Sequence, residues 1–90
     1  MKRHSRNYLK YFDLGEQSFI YCEYCYIKLG ASLRGVDLHH IKYLSRGGTD
    51  DIMNIIALCR DCHIKAHNEQ LKMPELNTVH REFLNNNPYI

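Results

Sequence analysis

Two Cys-x-x-Cys pairs constrain the fold of this chain more than any other feature of its sequence. Each pair can place two sulfur atoms on one metal ion, and two such pairs complete a tetrahedral all-thiolate zinc site. In a reducing compartment, this cysteine spacing favours metal binding over disulfides. A thioredoxin-like redox site would need one such pair within a βαβ pattern rather than two matched pairs. The sequence therefore predicts one structural zinc ion, held by Cys22, Cys25, Cys59 and Cys62.

The length of 90 residues agrees with a fold that depends on metal. It allows one small domain, and the segment from residue 19 to residue 72 could not bury a large core alone. No apolar run approaches the ~18 residues that a membrane span requires. Nothing after the basic residues 1–6 resembles a signal peptide. We therefore expect a soluble, cytoplasmic protein with no membrane partner.

Positive charge is concentrated at the N-terminus. The net charge of +2 is too small to indicate a nucleic-acid partner by itself. Basic residues without any acidic residue nevertheless occupy the first ten positions: Lys2, Arg3, Arg6 and Lys10. This pattern fits a basic arm that contacts phosphate and fits a solvated terminus equally well. We divide the chain into a basic N-terminal lead (1–18), a core (19–72) and a C-terminal helical extension (73–90).

The apolar pattern of the core predicts short strands. Residues 19–27 are rich in β-forming side chains and carry the first cysteine pair at a turn. A strand over residues 36–44 would send His39 and His40 to opposite faces, because side chains alternate along a strand. A loop with two glycines then leads to a second strand over residues 55–58, with the second cysteine pair at its end.

Helices are predicted for the remainder of the chain. One should run from about residue 61 to about residue 72, since an acid near its start suits the helix dipole and Pro74 would end it. Another is expected over residues 75–84. The apolar residues that this last helix would bury are Leu76, Val79, Phe83 and Leu84.

Four histidines have a spacing that can bring them together. His63 and His67 are four residues apart and would share one helix face, with His63 fixed beside the zinc by Cys62. His39 and His40 would end a strand that faces this helix. Three neutral imidazoles plus water suit a divalent ion with open positions, which leaves the fourth histidine free to act as a general base. In an alternative interpretation, His63 replaces a cysteine in a different zinc site. The other two histidines are interpreted as surface or satisfied core residues: His4 and His80.

The pattern of these residues resembles the HNH (ββα-metal) endonuclease family. The resemblance covers roughly residues 19–67, about half the chain. It implies a small α+β fold, in which a ββα-metal core carries a structural zinc knuckle and is flanked by N- and C-terminal helical segments. The matching residues are Asp37-Leu38-His39-His40-Ile41, Arg46-Gly47-Gly48, Asn54 and Leu58-Cys59-Arg60-Asp61-Cys62-His63, with Cys22 and Cys25 upstream.

The resemblance also implies a role for each residue of the site. His40 falls on the general base, Asn54 on the residue that orients this base, and His63 on a metal ligand. His39 precedes the base, where many members carry an acidic ligand. His67 is similar to an extra helix histidine of colicin-type nucleases, in which three histidines hold one ion. One catalytic divalent cation (Mg²⁺, Mn²⁺, Ni²⁺ or Zn²⁺) would thus be held by His39, His63 and His67.

The implied activity is hydrolysis of phosphodiester bonds by a metal-dependent endonuclease of phage or bacterial type. We expect it to nick DNA with weak sequence specificity, and RNA as a substrate stays open. We expect a monomer or weak dimer. Analogy with small stand-alone relatives suggests action with a larger phage or restriction assembly. Candidate phosphate contacts, each of which taken alone is better explained as a solvated surface charge, are Arg46, Arg60 and Lys65.

Two other functions are compatible with parts of this sequence. A non-catalytic four-cysteine zinc module that binds nucleic acid would need the thiols but would tolerate loss of His40 and Asn54. A structural protein-interaction knuckle would leave the HNH spacing as coincidence. The presence of His40, Asn54 and His63 together with four thiols favours the nuclease.

Overall fold

The computed structural model describes residues 2–90 and has a small α+β architecture, as the sequence predicted. Within the described part of the chain, none of the helices is both long and apolar enough to cross a membrane. The main elements are helix α1 (Arg3–Phe12), strands β1 (Asp37–His40) and β2 (Ile55–Leu58), and helices α2 (Arg60–His67) and α3 (Met73–Asn86). Three short turns lie between them: a π-helical turn at Cys25–Leu29 and 3₁₀ turns at Leu44–Arg46 and Ile52–Asn54.

The two strands form an antiparallel hairpin that is covered on both faces. His39 pairs with Ile56 and His40 with Ile55. All residues of β2 are completely buried, because alternate side chains enter different apolar clusters. Ile56 packs with the cysteines, α2 and α3, whereas Ile55 packs with Tyr8, on α1. Paired residues share a face, so His39 lies on the α2 face of the hairpin and His40 on its α1 face.

Helix α1 is packed against the hairpin by its apolar side. Tyr8 and Phe12 are buried, and the Phe12 ring contacts Phe83 on α3 at a centroid distance of 5.8 Å. The basic residues lie on the exposed side of the same helix, including Arg3 and Lys10. The N-terminal segment is therefore a folded helix that presents its positive charge outward.

Three sequence-based expectations for secondary structure were wrong in detail. Residues 19–27 do not form a strand: after an isolated bridge between Tyr21 and Arg34, the chain turns helically through the first cysteine pair. A helical turn brings two cysteines separated by two residues onto one side of the chain, where they can share a metal ion, and here this arrangement overrides the β propensity. β1 is also shorter than predicted, ending at His40.

Helix α2 ends at His67, earlier than predicted. Glu69 adopts a left-handed conformation (φ 62°), and the N–H groups of Gln70 and Leu71 both donate to the Lys65 carbonyl. Pro74 lies in the first turn of α3, where its missing N–H costs little, and so begins a helix instead of ending one. The buried stripe of α3 contains His80 in place of Leu84, which is only half-buried.

A buried polar network joins the parts of the fold. The Tyr8 hydroxyl and the Ala57 N–H donate to Oε2 of Glu23 over 2.6 and 3.1 Å, and His80 Nδ1 lies 2.6 Å from Glu23 Oε1. His80 Nε2 donates to the Ile52 carbonyl on the other side of the ring. Glu23 and His80 are completely buried, so His80 is a satisfied core residue, one of the two alternatives predicted for it.

The buried pair of Glu23 and His80 retains a proton that the same side chains would lose if they were exposed to water. Burial raises the pKa of Glu23, with partial opposition from its hydrogen bonds to His80 and Tyr8. Burial alone would lower the pKa of His80, but the hydrogen bond and charge of Glu23 outweigh it and raise that pKa above its ordinary value. The folded pair therefore retains a proton at a pH where an exposed histidine has lost its own.

Candidate active site and metal centres

The four cysteines converge on one point and are positioned to bind a metal ion. All four sulfur atoms lie within 4.8 Å of one another and none forms a disulfide. Cys25 Sγ is 3.9 Å from Cys59 Sγ and 3.7 Å from Cys62 Sγ. A tetrahedral zinc ion with Zn–S bonds of about 2.3 Å separates its sulfurs by about 3.8 Å. The cluster thus has the size that a zinc–thiolate site requires.

Local structure explains how each pair reaches the site. Cys22 and Cys25 lie at the two ends of a helical turn. In this turn the Cys22 carbonyl accepts a hydrogen bond from the Tyr26 N–H over 3.0 Å. Cys59 is the N-cap of α2, and Cys62 lies one turn into that helix. Both pairs therefore span one turn of helix, which aims their sulfurs in one direction.

The metal-free thiols differ in acidity. Burial raises the pKa of Cys25 to about 12 and raises that of Cys62 above its ordinary value. Burial also acts on Cys59, but hydrogen bonds from the Cys62 backbone and from neighbouring thiols outweigh it and lower its pKa. Metal loading must therefore displace protons from the buried thiols, and metal affinity should fall in acid.

A second cluster brings together three of the histidines singled out in the sequence. Ligand atoms of His39, His63 and His67 lie within 4.8 Å of one another, and the Nε2 atoms of His63 and His67 are 3.0 Å apart. His39 reaches the cluster from the α2 face of β1, and the other two come from successive turns of α2. The pKa of His39 is lowered to about 4. Burial is the main cause, and the charges of His63 and His67 lower it further. His39 is therefore neutral at physiological pH, the form that binds metal.

Two residues that the sequence analysis did not single out orient these histidines. Asp37 Oδ2 lies 3.0 Å from His63 Nδ1, and the Tyr43 hydroxyl lies 3.4 Å from His67 Nδ1. A carboxylate on Nδ1 fixes the ring and leaves Nε2 for a metal ion. The signal for Asp37 was present in the sequence, because it is two residues before His39 and so shares its strand face. The three imidazoles fit a divalent ion with open positions.

His40 lies on the opposite face of β1 and has a partner of its own. Its Nε2 is 2.8 Å from Oδ1 of Asp50, and both side chains are mostly buried. A carboxylate only accepts hydrogen bonds, so we assign the ring proton of neutral His40 to Nε2. The lone pair is then on Nδ1. Asp50 was missed by the sequence analysis because it lies in a loop, where no periodicity predicts orientation.

The Asn54 side chain forms hydrogen bonds with two parts of the loop that connects His40, at the end of β1, to Asp50. The Lys42 N–H donates to Asn54 Oδ1 over 2.8 Å, and Asn54 Nδ2 donates to the carbonyls of Lys42 and Thr49 over 2.9 and 2.7 Å. Asn54 therefore contacts the backbone next to both residues, not the imidazole itself. Gly48 is required here, since a Cβ at this position would lie 1.9 Å from the Lys42 carbonyl oxygen.

His4, interpreted as an ordinary histidine from the sequence, lies against His40. The ring centroids are 4.5 Å apart with an interplanar angle of 50°. The pKa of His4 is lowered, mainly by burial and to a smaller extent by the charge of His40. Ligand atoms of His4, His40 and Asp50 lie within 4.8 Å of one another. No spacing or periodicity in the sequence predicts this contact, because it joins distant parts of the chain.

The three basic residues predicted to contact phosphate lie in different places. Arg46 lines a cleft of about 480 Å³ that includes His39 and has Lys42 and Lys72 in its wall. Arg60 is exposed at the start of α2, three residues before His63 and hence on the same side of the helix. Lys65 is exposed on the side of α2 away from the histidines.

Comparison with known proteins agrees with this geometry. The family model for HNH endonuclease matches residues 22–69, which is more than half of the chain. The chain therefore belongs to the HNH endonuclease family, in a form with four clustered cysteines.

One curated relative shares part of this sequence. It is the protein named Anaredoxin from Nostoc sp. (strain PCC 7120 / SAG 25.82 / UTEX 2576), 46% identical over 35 residues. The match covers 39% of this chain and 46% of the relative, so the chain spans less than half of that protein. None of the solved structures matches the chain significantly.

Proposed function

We propose that the chain is a metal-dependent endonuclease that hydrolyses phosphodiester bonds in DNA. The observation that carries this proposal is that two adjacent histidines lie on opposite faces of β1 and have different partners. His39 joins a cluster of three imidazoles on one face of β1, and His40 is held by a carboxylate at the end of the same strand. Membership of the HNH endonuclease family supports nucleic acid as the partner.

The metal complement follows from the two ligand sets. We propose zinc at the cysteines, where it closes the fold, and one catalytic divalent ion at His39, His63 and His67. Mg²⁺, Mn²⁺, Ni²⁺ and Zn²⁺ are all candidates for the second position. Such an ion would stabilise negative charge on the phosphodiester oxygens as the bond is broken.

The protein residues would supply the proton transfer. Nδ1 of His40 takes a proton from the attacking water, whose oxygen forms the new bond to phosphorus while the bond to the 3′ oxygen breaks. Asp50 keeps the proton on Nε2 and stabilises the imidazolium that forms, since its carboxylate is 2.8 Å away. The Asn54 side chain bonds to the backbone of Lys42, two residues after His40, and of Thr49, the residue before Asp50, so its role is to position the base.

The charge distribution indicates where the DNA backbone would lie. Arg46 and two lysines flank the cleft beside His39, and Arg60 lies on the histidine side of α2. The outer side of α1 adds the basic residues of the N-terminal lead. We propose that these residues contact phosphates around the site, with Lys65 as a more distant contact.

The proposed setting of the enzyme follows from the same features. We propose a cytoplasmic enzyme of phage or bacterial origin, in which residues 19–72 form the nuclease core. As a monomer or weak dimer, one chain would nick one strand, and double-strand cutting would need a second copy or a larger assembly.

Plasmid nicking tests the proposal directly. Purified protein with zinc at the cysteines is incubated with supercoiled plasmid and added magnesium, manganese or nickel. His40→Ala should lose ~10²–10⁴-fold in rate, the usual effect of removing a general base. Lys28→Ala, at an exposed lysine in the π-helical turn after the first cysteine pair, is the control and should stay close to the wild-type rate. DNA binding without nicking under any metal would favour the non-catalytic zinc module instead, and an undiminished His40→Ala rate would refute the role of His40.

A further inference from the structure

The α1 face of the hairpin carries a group of metal-ligand atoms that is separate from the two clusters already described. His4 comes from the first turn of α1, His40 from the end of β1, and Asp50 from the loop before β2. One ligand atom from each lies within 4.8 Å of the other two. All three residues are partly buried, so they are held in place yet reachable from solvent.

Each of the three segments is anchored independently. The Asn7 side chain on α1 donates to the Asp50 carbonyl over 3.0 Å, which fixes the helix against the loop. Tyr8, the next residue, is buried and bonded to Glu23. Asn54 holds the other end of the loop. The ligands are therefore already held in position, so binding of a metal ion here would cost little free energy for ordering them.

We propose that His4, His40 and Asp50 form a third divalent-cation site, selective for zinc, and that its occupancy turns the nuclease off. The binding part stands on the geometry alone, and the inhibitory part rests on the proposed role of His40.

The donor set explains the selectivity. Two imidazoles and one carboxylate, with a fourth position left for water, are typical ligands of zinc. Magnesium prefers oxygen ligands and keeps most of its own water, so it should compete weakly here, and for the same reason it should be the weakest-binding of the four candidate ions at His39, His63 and His67. Zinc–nitrogen bonds of about 2.0–2.1 Å place ligand atoms roughly 3.3 Å apart. The 2.8 Å contact between His40 and Asp50 needs only a small opening to reach this separation.

Zinc binding and base catalysis exclude each other at His40. A neutral imidazole has one nitrogen lone pair and one N–H. Zinc on Nε2, where Asp50 lies, would move the proton to Nδ1, and zinc on Nδ1 would occupy the lone pair directly. In both cases no nitrogen is left to accept a proton from water. Excess zinc should therefore inhibit through His40, and zinc that also replaces the ion at His39, His63 and His67 would act equally on a variant that lacks the His4 ligand.

Zinc titration calorimetry on protein already loaded at the cysteines tests the binding part. Wild-type protein should show two classes of site, one at the three-histidine cluster and one at the proposed site. His4→Phe keeps an aromatic ring beside His40 but removes the ligand, so it should lose the second class. Loss of an outer partner already costs roughly 10–100-fold in metal affinity, and loss of a ligand should cost at least that much. Ser5→Ala on the same helix is the control and should bind like wild type.

Nicking in saturating magnesium or manganese, with increasing zinc, tests the inhibitory part. Each variant is normalised to its own rate without added zinc. Half-inhibition of His4→Phe should need at least about tenfold more zinc than wild type, in line with the lost affinity. Identical calorimetric titrations of wild type and His4→Phe would overturn the site while leaving the nuclease proposal intact. A lost binding class with unchanged inhibition would overturn the inhibitory role alone. Failure of the nuclease proposal itself would be seen separately, as absence of nicking before zinc is added.

Discussion

The cysteine cluster and the three-histidine cluster both offer metal ligands, but they differ in how far they are exposed to solvent. Cys22, Cys25 and Cys62 are at most 4% exposed and pack among apolar residues of the core. His63 retains 26% of its side-chain exposure and is oriented by polar partners. A buried ligand set can support the fold but cannot meet a large substrate, whereas a partly exposed set can. The comparison supports the proposal that the cysteine cluster stabilises the structure and that the three-histidine cluster serves the chemistry.

The largest expected effect is the loss of the fold when a cysteine ligand is removed. Zinc binding contributes about 10–16 kcal/mol in small zinc peptides, as much as the whole stability of an ordinary domain. Cys59→Ser should therefore lose its zinc and its cooperative unfolding transition. Elemental analysis and thermal unfolding followed by circular dichroism measure both. His67→Ala is the matched control, and it should keep its zinc and unfold cooperatively. A folded Cys59→Ser protein would show that the cysteine cluster is not the structural centre.

The second expected effect concerns the buried pair that supports both regions. His80→Leu leaves the Glu23 carboxylate buried without its charged partner, which typically costs 3–5 kcal/mol. Urea unfolding of the zinc-loaded protein measures this loss. A double variant, Glu23→Gln with His80→Leu, should recover part of it because no buried charge remains. A loss below about 1 kcal/mol in the single variant would contradict the role of the pair.

The same pair gives a pH dependence of stability. The folded pKa of His80 is raised, so its contribution is complete below the unfolded value of about 6.5 and is lost as pH rises through the folded value. Burial raises the pKa of Glu23 in the same direction. Wild-type stability should therefore decrease relative to the double variant as pH rises above about 6.5 and through the raised pKa of His80, because the side chains of the double variant at these positions do not titrate. Parallel curves for the two proteins would refute the retained proton.

The next effect is confined to the catalytic metal. Asp37→Asn removes the carboxylate that lies 3.0 Å from His63 Nδ1, and we expect a loss of roughly 10–100-fold in metal affinity at the three-histidine cluster. Manganese titration measures this affinity, with zinc content at the cysteines as the folding control. Unchanged manganese affinity would mean that Asp37 does not orient the ligand.

The smallest effect should be seen in DNA binding. Arg46→Ala removes one cation from the cleft beside His39 and should lower the slope of log affinity against log salt by about 1. Lys65→Ala, on the far side of α2, should change the slope less. Equal changes in both variants would argue that DNA does not follow the histidine side of the helix.

The sequence predicted the parts of the site that depend on local spacing. The cysteine pairs, strand β2 and the shared helix face of His63 and His67 all follow from residues a few positions apart. The family resemblance predicted the ββα-metal fold, and the family match confirms the family.

The remaining features depend on contacts between distant segments. His4 reaches His40 only because α1 is packed by Tyr8 and Phe12, and Asp50 reaches it only through the path of a loop. The helical turn at the first cysteine pair overrode a local β propensity. No periodicity or spacing in the sequence contains this information.

The central claim is that His39 is a metal ligand and His40 a base, although the two are adjacent and chemically identical. Single-turnover nicking as a function of manganese concentration, for His39→Ala and His40→Ala side by side, tests it most directly. His39→Ala should need more metal but recover part of its rate as manganese rises. His40→Ala should bind manganese normally and stay ~10²–10⁴-fold slow at every concentration. Rescue of His40→Ala by metal, with His39→Ala beyond rescue, would reverse the two roles and contradict the account.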